Sequence, residues 1–126
     1  MNRSPGHQKY PNHKVAEEYP RQPMRVEVNG EVIAESNRVI RVNEDSHPVR
    51  YYFPRDDVRM DKLERTQTTT ECPFKGIANH FTVTARGKKL PDAAWSYEDP
   101  YDEHRDLKDH LAFYDDKIRE IHVEAA

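Results

Sequence analysis

Asn29-Gly30 stands between two short runs in which apolar and polar residues alternate, Val26 and Val28 before it, Val32 and Ala34 after it. Both turn residues tolerate a positive φ, so the pair is a strong local signal for a β-hairpin. This opening predicts an antiparallel sheet, and the following segments extend it. Val39, Ile40 and Val42 suggest a third strand. His47-Pro48 marks a loop, and residues 49–53 read as a fourth strand stopped by Pro54. Residues 55–64 fit a short helical turn with Val58, Met60 and Leu63 inward. Residues 66–71 are a threonine-rich strand, 78–85 alternate like a half-buried strand, and 93–97 make another. Turns fall at 72–76, where Pro73 fixes φ and Gly76 frees it, and at 86–89.

The ends are less regular. Residues 1–23 hold four of the nine prolines and few apolar groups. They read as an extended N-terminal arm before a domain over 24–126, and the alternative is an arm that folds over the domain and presents His7 and His13. Asp99-Pro100 is a helix start, with Asp as cap and Pro at the first position. Beyond it, Leu107, Leu111, Tyr114, Ile118 and Ile121 fit one helix by spacing. The β-branched content favours two strands instead, 111–114 and 118–123, paired across Asp115-Asp116-Lys117.

Charge and composition bound the function. A chain of 126 residues fits one domain. Its net charge is −3 with both signs interspersed, which argues against a nucleic-acid partner. No apolar run approaches the ~20 residues that span a bilayer, and there is no secretory leader, so the expected location is the cytoplasm. One cysteine excludes an internal disulfide and a cysteine-pair zinc site. The seven histidines show no ligand spacing along a helix, so neither metal nor cofactor is expected.

Several residues could carry chemistry. Cys72, with Lys75 three residues on, is a candidate nucleophile or a small buried side chain. Arg55 and Arg59 could hold a carboxylate or phosphate, or could pair with Asp56 and Asp57 in a capped turn. Trp95 and Tyr97 share one face of a strand; with Tyr51 or Tyr52 and Phe74 they could line a pocket or fill a core.

Three motifs combine aromatics, prolines and charges: residues 51–60 (Tyr-Tyr-Phe-Pro-Arg-Asp-Asp-Val-Arg-Met), Cys72-Pro73-Phe74-Lys75-Gly76, and Trp95-Ser96-Tyr97-Glu98-Asp99-Pro100. With the Asn29-Gly30 hairpin and the Ser4-Pro5-Gly6-His7 start, they resemble a small bacterial family catalogued as domain of unknown function 427. The resemblance implies a mainly β fold, a β-tent of two antiparallel sheets over a cleft. Many tent proteins staple that fold with a four-cysteine zinc, which a chain with one cysteine cannot do. The family it resembles also carries a nucleotidyltransferase-like label. Such enzymes need spaced acidic residues and a glycine-rich phosphate loop, and four glycines in the chain do not form one.

The first functional reading is a protein that binds a small polar or anionic ligand in a cleft between sheets, lined by Arg55, Lys75, Trp95, Tyr97 and Tyr52. The alternatives are an enzyme, using Cys72 as nucleophile or Asp57 with a metal in nucleotidyl transfer, and a peptide-binding module with an aromatic groove.

Overall fold

The computed structural model describes residues 2–126. Along the chain run helix α1 (Pro5–Lys9) and strands β1 (Val15–Glu18), β2 (Met24–Val28), β3 (Glu31–Ser36), β4 (Ile40–Glu44), β5 (Arg50–Pro54), β6 (Leu63–Cys72), β7 (Gly76–Ala85), β8 (Lys88–Tyr97), β9 (His110–Phe113) and β10 (Ile121–Ala125). Three 3-10 turns cover Arg55–Asp57, Met60–Lys62 and Asp102–Leu107. The strands form two antiparallel sheets, the mainly β architecture expected. A seven-stranded sheet has the order β1-β4-β5-β9-β8-β7-β6, and a three-stranded sheet the order β10-β2-β3.

The Asn29-Gly30 hairpin joins β2 to β3, with φ of 49° and 81° at the two turn residues, as a tight two-residue turn requires. A second tight turn at Arg86-Gly87 joins β7 to β8. Asn29 also ties the small sheet to the large one, its Nδ2 donating to the Ala85 carbonyl at 3.1 Å.

The large sheet buries both faces. On one, Phe53, Phe81, Val83, Ala94, Leu111 and Phe113 pack against Val26, Val28, Ile33 and Ile121 of the small sheet. On the other lie Ile40, Val42, Tyr52, Ala78, Trp95, Tyr97 and Ala112, with Leu107 from the third 3-10 turn. Strand alternation makes this division, since neighbours in sequence point to opposite faces.

Both chain ends depart from the first expectation. Residues 2–23 follow the alternative reading, an arm folded over the domain with His7 and His13 turned toward it. Helix α1 is capped by Ser4, whose hydroxyl accepts from the His7 amide, and β1 adds an edge strand to β4. Ser4 is fully buried, its hydroxyl donating to the Pro73 carbonyl at 2.8 Å and its amide to Glu103 Oε1 at 2.8 Å. The arm docks through polar groups, which a reading based on apolar anchors overlooks. At the other end, β9 and β10 are strands, but they do not pair with each other. β9 joins β5 and β8 in the large sheet, whereas β10 crosses to β2 in the small one. Leu111 and Ile121 are thereby buried between the sheets, each on its own layer.

Candidate functional site

A cleft of about 360 Å³ opens on the face of the large sheet turned away from the small sheet. The expectation of a cleft between the sheets is therefore corrected: that space is filled by apolar side chains. Register builds the wall. Val42 lies opposite Arg50 and Ile40 opposite Tyr52, so alternate residues Val42, Glu44, Arg50 and Tyr52 share the face. Trp95 lies opposite Ala112, and Tyr97 follows on the same side two residues later. The turn at residues 73–75 forms the rim, held where the Tyr101 amide donates to the Lys75 carbonyl at 2.9 Å.

Four aromatics form one row. Trp95 contacts Tyr114 with ring centroids 4.2 Å apart, meets Tyr52 edge-on at 6.2 Å, and donates from its indole N–H to the Tyr52 hydroxyl at 3.3 Å. Tyr97 lies 6.4 Å from Tyr52. Burial raises the pKa of Tyr52, Tyr97 and Tyr114, so all three are neutral phenols. Two cations cover the row. The Arg50 guanidinium sits 5.1 Å over Trp95 and 5.4 Å over Tyr114, and the Lys75 amine 6.0 Å over Tyr97.

Lys75 is almost fully buried, 6% exposed, and its amine meets Glu44 Oε1 at 2.5 Å. The other Glu44 oxygen meets His13 Nε2 at 2.9 Å. Burial pushes the Glu44 carboxyl up, but the bonds from Lys75 and His13 outweigh it and hold the group below the usual carboxylate value. His13 is fixed in turn by stacking on Phe74 with centroids 4.2 Å apart. Arg50 pairs with Asp116 at 2.8 Å and Asp115 at 3.4 Å.

The candidates from sequence separate cleanly. Lys75, Trp95, Tyr97, Tyr52, Phe74 and Cys72 all line the cleft. Arg55 does not: it pairs with Glu98 at 3.4 Å and lies over Phe81, a residue of the layer between the sheets. Asp57 is engaged elsewhere, accepting from Ser36 Oγ at 2.5 Å and pairing with Arg38 at 3.2 Å. Glu44, Arg50, His47, Tyr114 and Lys117 line the cleft without having been singled out. Glu44 carried a usable signal, a charge in the same strand phase as Ile40 and Val42.

The family model for a domain of unknown function (DUF427) matches residues 16–124. The chain belongs to this family. No curated protein matches it. The match begins within β1, so it takes in the strand that the arm contributes to the large sheet. No helix in the described residues is long and apolar enough to cross a membrane.

Proposed function

We propose that this DUF427 protein binds a small molecule with a flat body and an anionic group in the aromatic cleft. One observation carries the reading: Lys75 and Arg50 both lie over the same aromatic row, one at Tyr97 and the other at Trp95. The row supplies an aromatic wall, with Tyr114 its most open ring, and the two cations supply charge at its two ends. The volume of about 360 Å³ fits a small molecule and is tight for a peptide. Both cations already hold carboxylates, so an incoming anion competes with Glu44 at Lys75 and with Asp115 and Asp116 at Arg50.

Trp95 is the one tryptophan and stands in the wall, so its fluorescence reports occupancy. The full chain is titrated with mononucleotides, aromatic carboxylates and inorganic phosphate. A saturable change with a flat anion is expected, weakened about tenfold or more by Arg50→Ala and by Lys75→Met. Silence across the panel, or binding that survives both substitutions, rejects the reading.

Cys72 supports a second reading, as an enzyme nucleophile, because it is half-buried in the wall of the cleft that Lys75 also lines. Rapid alkylation of Cys72 by iodoacetamide at neutral pH, slowed by the cleft ligand, is the outcome that favours it. Resistance to alkylation assigns Cys72 to packing.

A further inference from the structure

The rim of the cleft joins three segments that are far apart in sequence. His13 precedes β1, Glu44 ends β4, and His47 lies in the loop that follows. Among the described residues, these three bring one donor atom each to within 4.8 Å of one another. His13 Nε2 is 2.9 Å and His47 Nδ1 3.7 Å from the same Glu44 oxygen. Ligand atoms around a tetrahedral zinc, with bonds of about 2.0–2.1 Å, stand about 3.4 Å apart. The two observed spacings bracket that value, and the third pair, His13 with His47, lies within 4.8 Å, so an ion closes the triangle by drawing the two imidazoles together.

We propose that His13, Glu44 and His47 bind one divalent transition-metal ion, zinc by the chemistry of the donors. Two imidazoles and one carboxylate suit zinc or a similar first-row ion better than magnesium or calcium, which prefer all-oxygen shells. Three protein ligands leave a coordination position open, and Glu44 and His47 both line the cleft, so the ion stands at its edge. One ligand is already held in place, since Phe74 stacks on the His13 ring, whereas Lys75 competes for the Glu44 carboxylate through its other oxygen. His47 gives up a bond on metal capture, since its Nδ1 lies 2.7 Å from the Asp45 carbonyl. The absence of histidine spacing motifs excludes only sites built on one element; this one is assembled by β1 pairing with β4.

Lys75 makes the proposal specific. Its ammonium draws on the carboxylate that the ion needs, so removing it frees Glu44 for the metal. Lys75→Met therefore tightens zinc binding, although the same change weakens anion binding under the reading above. The site does not depend on that reading, and the opposite signs keep the two apart.

The test uses the full chain stripped with chelator, titrated calorimetrically with Zn²⁺ and followed by absorption with Co²⁺ as a coloured substitute. The expected result is one ion per chain, with the affinity reduced at least about tenfold by His13→Ala or by His47→Ala, and raised by Lys75→Met. His47 has a side chain 56% exposed in a loop, so its loss leaves the fold intact even if His13→Ala loosens the arm. Circular dichroism verifies each variant. Absence of stoichiometric binding, or an affinity unchanged by His47→Ala in a folded variant, overturns the proposal.

Discussion

Tyr52 and Phe53 are neighbours on β5 and both are buried, yet they face opposite ways into different surroundings. Phe53 meets Phe113 edge-on at 6.3 Å among aliphatic side chains from both sheets. Tyr52 faces Trp95, Tyr97 and the cleft. The inner face is closed by a second sheet, through apolar contact with the Asn29 bond to the Ala85 carbonyl at its margin. The outer face is closed by the arm and the 73–75 turn, which bring polar groups with them: the buried Lys75–Glu44 ion pair, His13 on the other Glu44 oxygen, and His104 Nδ1 beside Glu17 Oε2. A dry apolar layer gains stability from the area it removes from water. Buried ion pairs give little net stability, because desolvation offsets their attraction, but they fix charges in defined places. The inner face is thus an apolar layer, and the outer face combines apolar packing with the charged and aromatic groups on which the proposed binding rests.

The widest test of that division is Phe53→Ala. It leaves a cavity between the sheets and is expected to cost about 3–5 kcal/mol in chemical denaturation, while the Trp95 fluorescence of the folded fraction stays native. A similar loss with a disturbed Trp95 spectrum would mean that the two faces are not independent.

Gly6→Val acts on the outer face and is expected to cost less. Gly6 donates its amide to the Pro73 carbonyl at 2.8 Å, and a Cβ there would lie 2.7 Å from that same backbone oxygen. The backbone must move, so α1 is pushed off the turn that carries Phe74 and Lys75, at about 1–3 kcal/mol. Trp95 fluorescence should shift although the inner face is untouched. A native spectrum and unchanged stability would show that the arm does not support the cleft.

Arg55→Ala should matter least among the substitutions. Its pair with Glu98 is a third exposed, and Arg65 also reaches Glu98, so stability should fall by less than about 1 kcal/mol and the cleft should bind as before. A loss of anion binding would return Arg55 to the site.

The inner face was largely legible in the sequence. Asn29-Gly30, the alternation through residues 78–85 and the β-rich C-terminus are local patterns, and local patterns fix strands and the side they bury. Partners of strands are not local: nothing in residues 110–125 says that β9 and β10 belong to different sheets. The outer face was half legible. Lys75, Trp95 and Tyr97 stand out by residue type, whereas the Glu44–His13 contact spans thirty-one residues and exists only because β1 pairs with β4. Polar docking has no periodicity, so Ser4 gave no sign of the anchor, and His7 and His13 suggested a folded-over arm only by residue type.

The smallest expected effect concerns one proton in that anchor. His7 Nε2 and His104 Nε2 lie 2.8 Å apart, and His104 Nδ1 lies 2.6 Å from Glu17 Oε2. A contact between two ring nitrogens holds a single hydrogen, so one of them must accept on a bare nitrogen. Burial lowers the His7 pKa, and His104 lowers it further; Glu103 and Glu44 pull it up, and His13 pushes it down. Because the folded value is below the ordinary 6.5, an undocked arm binds the proton more readily than a docked one. Docking stability is therefore complete above pH 6.5 and is lost as the pH falls through the folded value. Proton NMR of the His7 ring, with chelator present to keep His13 free of metal, should give a midpoint below 6.5, and Gly6 amide exchange, corrected for its intrinsic pH dependence, should quicken over the same acid range. Deletion of the His104 imidazole by His104→Phe should raise the His7 midpoint toward the ordinary value. A midpoint at or above 6.5 in the unmodified protein would mean that the two rings do not share this contact in solution, and that the arm is held without it, by Ser4, Gly6, His13 and the pairing of β1 with β4.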